Sequence, residues 1–238
     1  MGLPFAFWKS SATASTTFDF SVDTTKTDGG STSTTQFRLP FNQYGTAPNC
    51  TVDWGDGNSD TITTYNQAEA THTYATSGIY DIKIDGVIGS FTFQAGTSTD
   101  EKKLISISNW GGFSLGGSRF RNCSNLTTIS ATDMPIFGTS LRRTFAGCNK
   151  LTSFNVDGWD VSTVTDFREM FAACSLLTTL NCENWNVGLV TRMDEMFKNC
   201  QDLITLDLSN WNTANVVNMR DTFYRNYDLT SIGDVTSW

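Results

Sequence analysis

The chain has 238 residues, 39% of them hydrophobic and 13% aromatic, enough apolar material for a packed core and against wholesale disorder. Its net charge of −8 disfavours nucleic acid, because an acidic surface repels phosphates. No stretch approaches the ~18 apolar residues of a membrane span, and the single histidine, His72, excludes multi-histidine zinc sites and any second histidine-based triad.

The acid is unevenly placed. Residues 1–100 carry 4 basic and 10 acidic side chains, residues 101–238 carry 12 and 14, and this asymmetry divides the chain in two. The 36 threonines favour strands and turns over helix interiors.

The opening stretch, Met1-Gly-Leu-Pro-Phe-Ala-Phe-Trp-Lys9, lacks a basic leader and is interrupted by Pro4, so it does not read as a secretory signal. Ser10–Thr17 is a small-polar linker. Phe5, Phe7 and Trp8 therefore have two readings: an edge strand of the first unit, or a docking arm that buries its aromatics in another protein.

From residue 18, short alternating runs succeed one another. Phe18–Val22, Phe37–Phe41, Cys50–Trp54, Thr61–Thr63, Thr71–Tyr74, Ile79–Ile84 and Ser90–Phe93 all fit strands. Gly- and Asp-rich turns at residues 28–30, 55–57, 77–78 and 85–86 separate them. Many strands at this spacing predict a small β-sandwich over residues 18–100.

Val52-Asp-Trp-Gly-Asp-Gly57, succeeded by Thr71-His-Thr-Tyr-Ala-Thr-Ser-Gly-Ile-Tyr80, resembles the PKD type of immunoglobulin-like domain. That resemblance implies a spacer or adhesion module of exposed surfaces, not a catalyst. His72 then reads as a half-buried structural residue. Asp56, Asn58 and Asp60 have the spacing that opens a calcium loop, but Thr61 stands where such a loop needs Gly and Gln67 where it needs Glu. A solvated acidic turn fits better, and no cofactor is expected.

Residues 101–238 are governed by a repeat. Phe120, Phe145, Phe171, Phe197 and Phe223 are spaced by 25, 26, 26 and 26 residues. Trp159, Trp185 and Trp211 keep the same period, and Cys123, Cys148, Cys174 and Cys200 come three residues after each Phe. Val164, Phe167, Met170 and Phe171, with their equivalents, predict a short amphipathic helix. The alternating pairs Ile129/Ala131, Phe154/Val156, Leu180/Cys182 and Leu206/Leu208 predict a short strand. A period of 20–29 residues with this leucine spacing marks a leucine-rich-repeat solenoid. About five coils are expected, with Met134 in the tryptophan slot of an early one. The ladder cysteines and Cys182 read as free, buried thiols rather than disulfides.

Trp159-Asp-Val…Met170-Phe171 and Trp185-Asn-Val…Met196-Phe197 resemble the BspA-like leucine-rich repeats of bacterial surface proteins. The fold expectation is thus mainly β with short helices: an immunoglobulin-like β-sandwich plus a leucine-rich-repeat solenoid. The division is an arm and linker at 1–17, a sandwich at 18–100 and a solenoid at 101–238.

Outward strand positions form two polar columns. Thr128, Ser153, Thr179, Thr205 and Ser231 make one; Ser130, Asn155, Asn181 and Asp207 lead the other. They read as an ordinary solvated face or as a binding face for a host glycan or protein. The paired carboxylates Asp157/Asp160 and Asp194/Glu195 do not mark a glycan-cleaving site. The two resemblances together imply a non-enzymatic structural or adhesion protein displayed on a virion, held to other virion proteins by its arm. The alternative is a bacterial cell-surface adhesin. Neither nucleic acid nor membrane is expected as a partner, and a homo-oligomer stays open.

Overall fold

The computed structural model describes residues 16–93, 100–236 and 238. The protein is mainly β. Phe5, Phe7 and Trp8 lie outside the described residues.

Ten strands are formed: β1 Phe18–Asp23, β2 Gln36–Arg38, β3 Asn49–Asp53, β4 Ser59–Ile62, β5 Thr71–Thr73, β6 Ile79–Val87, β7 Leu104–Asn109, β8 Ser114–Leu115, β9 Thr128–Ile129 and β10 Ile136–Phe137. Six of them make one sheet in the order β4-β3-β6-β1-β7-β9. Its pairs are antiparallel except β7–β9, which is parallel.

Alternation explains the buried face. Phe18, Phe20 and Val22 of β1 are buried, while Asp19, Ser21 and Asp23 between them are half-buried. The small β2–β5 pair forms a second layer, with Phe37 6.1 Å from Phe20. An isolated bridge, Phe41 to Phe91, extends it. The ring of Phe91 meets Phe18, Phe20, Phe41, Phe93 and Phe113 at 5.5–6.2 Å, each nearly edge-on.

The β3–β4 hairpin needs its first glycine. Gly55 has φ +79°, and a Cβ there would lie 2.4 Å from the carbonyl oxygen of Asp81. Behind the hairpin, the Trp54 indole donates to Asp60 at 2.8 Å and the Tyr74 hydroxyl donates to the Trp54 carbonyl at 3.2 Å.

The two parts suggested by the charge asymmetry share a sheet and a core. β1 pairs with β6 on one edge and with β7 on the other, so the first strand after residue 100 completes the N-terminal sheet. The buried apolar side chains form one continuous cluster from Phe18 to Trp211. A fully buried ion pair fixes the junction. Lys103 Nζ lies 3.2 Å from Asp100, with both side chains at 0% exposure. Asp100 accepts from the Thr32 and Arg38 backbone amides and from the Thr32 hydroxyl. Lys103 donates to the carbonyls of Thr32, Ser33 and Gln36. Residues 32–38 are thereby clamped onto the start of the repeats. Desolvation lowers the Lys103 pKa, against the pull of Asp100.

Beyond β7, 26-residue units stack in parallel register. One column of bridges runs Thr179–Thr205–Ser231, and another runs Ser140–Asp166–Arg192–Asn218. The ladder rings stack nearly flat: Phe145, Phe171, Phe197 and Phe223 succeed one another at 5.7–6.0 Å, 5–8° from parallel. Trp159, Trp185 and Trp211 do the same at 6.1–6.3 Å. Each lower indole is tied back, with Trp185 Nε1 donating to Val156 and Trp211 Nε1 to Cys182. The six thiols are free and buried. Those of Cys148, Cys174 and Cys200 donate to the Phe carbonyl of the preceding unit at 3.1–3.2 Å.

The expected amphipathic helix does not form. Over residues 168–173 the chain makes consecutive turns, with Glu169 and Ala173 at φ +56° and +60°. A left-handed residue every fourth position breaks an α-helix. Alternate amides serve different bonds: those of Phe167, Glu169, Phe171 and Ala173 donate to the next coil, and those of Met170, Ala172 and Cys174 donate three residues back. The buried i, i+3, i+6, i+7 pattern is real, but inter-coil bonds replace the helical ones. Met134 also departs from expectation. It is 49% exposed, and Phe137 and Trp110 pack on Trp159 instead, at 5.1 and 6.2 Å.

Candidate functional site

The polar columns are built by the same register that builds the core. The parallel pairing of Ser106 with Thr128, and the bridges Ile129–Phe154 and Thr179–Thr205–Ser231, bring the first column into line. Its spacing is set by parallel strands, on the order of 4.8 Å between neighbours. Thr128, Ser153, Thr179, Thr205 and Ser231 are all exposed, as are Ser130, Asn155, Asn181 and Asp207.

The two columns differ in what they have left to offer. The hydroxyls of Ser153, Thr179 and Thr205 make no hydrogen bond among the described residues. Asn155 is partly committed, accepting from the Asp157 amide at 2.9 Å. Asp207 accepts from the Ser209 amide and hydroxyl at 3.0 and 2.7 Å, and these bonds hold its carboxyl below the usual range. The flanking threonines are spent on the scaffold: Thr127, Thr178 and Thr230 donate to carbonyls of the preceding coil. The free capacity is thus a row of hydroxyls, suited to many weak hydrogen bonds with a polar partner.

A third column carries charge and pairs it internally. Arg143 pairs with Glu169, Arg168 with Asp166 and Arg192 with Asp194, all at 2.6–2.7 Å. Burial works against ionisation of Asp166, but its bonds to Arg168 outweigh this and its pKa falls.

The acidic hairpin is not assembled for a cation. Asp56 bonds His72 at 2.8 Å and the Asn58 amide at 3.1 Å, while Asp60 turns to Trp54. Burial opposes the charge on Asp56, yet its bonds to His72 and Asn58 lower its pKa overall. Among the described residues, no three His, Cys, Asp or Glu side chains converge to hold a metal. His72 stacks flat on Trp54 at 4.8 Å and edge-on to Tyr74, a structural setting. The other acidic pairs are engaged locally. Asp160 caps the Ser162 amide, Asp194 pairs with Arg192 and Glu195 with Lys198.

Arg119 escaped the sequence reading, although the repeat held the signal. It stands one residue before the ladder Phe, where the other units place Thr144, Met170, Met196 and Thr222, all buried. An arginine in that inward slot is the anomaly of the series.

Residues 139–238 match the family described as Mycoplasma protein of unknown function, DUF285. No curated protein and no solved structure matches the chain. Among the described residues, no helix is long and apolar enough to cross a membrane.

Proposed function

We propose that the chain is a non-enzymatic display and adhesion protein. In this reading residues 18–100 are an immunoglobulin-like sandwich of PKD type, and residues 101–238 are a leucine-rich-repeat solenoid of BspA type. The solenoid presents its hydroxyl column to a glycan or protein on a host surface. The observation that carries the reading is the row of exposed, uncommitted hydroxyls at Ser153, Thr179 and Thr205, held in line by parallel coils. The setting proposed is a virion surface, with residues 1–17 anchoring the protein to other virion proteins. The DUF285 match to a Mycoplasma family favours a second setting, the surface of a bacterial cell.

The test is binding of the purified chain to intact host cells, with Thr179→Lys/Thr205→Lys as the comparison. The double variant is expected to lose at least about tenfold in binding while its melting temperature stays within ~2 °C, because both sites are exposed. Unchanged binding by the variant overturns the reading.

A further inference from the structure

A cavity of about 490 Å³ opens where the N-terminal layers meet the first coil. Its size is that of small-molecule sites rather than of packing defects. Gly45, Gly86, Gly89, Gly111 and Gly112 contribute to its walls, all with positive φ, so the backbone itself lines the space. A side chain at Gly89 would strike the Thr46 carbonyl at 2.5 Å, and one at Gly111 would strike Thr17. Phe113 adds an apolar wall, and Arg119 is the one charged side chain of the lining.

Arg119 lacks a counter-charge. Its Nη1 donates to the Phe91 carbonyl at 2.6 Å, and its Nε is buried without a hydrogen-bond partner. It forms none of the ion pairs among the described residues. The remaining residues, 1–15, 94–99 and 237, contain no Asp or Glu. Burial is the sole cause acting on its pKa, which is lowered. The side chain as a whole is half-buried, so its charge is only partly desolvated, and no carboxylate stands against it among the described residues. The coils show the inexpensive solution at this slot, Met170 and Met196, fully buried.

We propose that this cavity binds a carboxylate-bearing ligand of monosaccharide size, a uronic acid unit, with Arg119 as its counter-ion. The guanidinium is the group that pairs with a carboxylate through two parallel hydrogen bonds. At Gly112 the main chain is open to a ring, since a Cβ there would meet nothing within 4 Å. This site is separate from the hydroxyl column, so either can fail without the other.

The test uses the full chain and two readouts. In thermal melts, about 20 mM glucuronate raises the midpoint by ~2 °C or more at matched ionic strength, glucose leaves it unchanged, and acetate gives a clearly smaller shift. In calorimetric titration, Arg119→Met binds glucuronate at least about tenfold more weakly than the parent, and Arg119→Lys falls between them. Arg119→Met is expected to melt no lower than the parent, since it removes the unpaired charge. No shift with glucuronate overturns the proposal, as does equal binding by Arg119→Met. An acetate shift as large as that of glucuronate also overturns it, in favour of an adventitious ion only. If Arg119→Met fails to fold, the ligand melts of the parent and the Arg119→Lys titration decide.

Discussion

Phe91 and Phe171 are both buried among other aromatic rings, but the geometry differs. Phe91 meets five rings at interplanar angles of 69–89°, drawn from residues as far apart as Phe18 and Phe113. Phe171 stacks on Phe145 and Phe197 at 5° and 8°, each one period away, and tilts at 52° against a third ring, Phe154. The N-terminal layers thus solve a single packing problem, in which every ring has its own place. The coils solve one small problem and translate it. In the layers, contacts bridge long chain separations, such as Thr32 to Asp100. In the 26-residue units, the ladder rings stack on their counterparts one period away.

Alkali separates the halves most sharply. Five of the six buried thiols lie in the coils, and only Cys50 lies in the layers. Burial pushes Cys50 up to about 11 and Cys182 and Cys200 up to about 12, and raises the other three well above the ordinary range. Below about pH 8.5 both states keep the thiol protonated and nothing changes. Above it only the unfolded chain ionises, so each thiol withdraws on the order of 1.4 kcal/mol of stability per pH unit until its folded pKa is reached. Hydrogen exchange from pH 8 to 10 is therefore expected to show coil amides opening before those of β1 and β6. Simultaneous opening breaks the distinction.

Ring deletion comes next. Phe171→Ala empties a slot between two rings and is expected to cost about 3–5 kcal/mol in urea unfolding. Phe223 stacks on Phe197 alone and is only half-buried, so Phe223→Ala is expected to cost about 1–2 kcal/mol. Equal losses would mean that the coils do not behave as nearest-neighbour units.

The coupling across the junction is the smallest quantity of the three tests. Lys103→Met leaves Asp100 buried without its cation and is expected to cost about 3 kcal/mol, whereas Asp100→Asn/Lys103→Met together cost less than the sum of the single changes. Urea midpoints of the four chains measure this coupling. Strict additivity would show that the pair does not act as one unit.

Most strands of the N-terminal part are legible because alternation and Gly/Asp turns are local signals: Phe18–Asp23 and Asn49–Asp53 form within a residue of the expected ends, whereas Ser90–Phe93 supplies only the Phe91 bridge to Phe41. The period of the coils was equally plain. The helix is not separable in the sequence from a chain of tight turns, because both bury the four positions i, i+3, i+6 and i+7 occupied by Val164, Phe167, Met170 and Phe171. The left-handed conformations of Glu169, Glu195 and Ala173 carry no glycine to announce them. The shared sheet was not legible at all. That β7 pairs with β1 depends on which edge is free, a non-local fact. Of the candidate site, the columns came directly from the period. Arg119 required comparing one slot across units rather than reading along the chain.

The regular register of the inter-coil bonds bears on how such a chain changes length. Turn amides of one coil donate to carbonyls of the next, as Phe145 to Met170 and Phe171 to Met196 do, and others donate to the preceding coil, as Thr178 to Thr152 and Thr191 to Thr165 do, each about one period apart. A duplicated or deleted segment of 26 residues keeps every donor opposite an acceptor and shifts the later coils by about 4.8 Å, one strand spacing. A segment of any other size puts ladder rings against surface residues. The gene can therefore lengthen or shorten this half in whole coils, as a ruler is cut at its marks, while the N-terminal layers have no such increment.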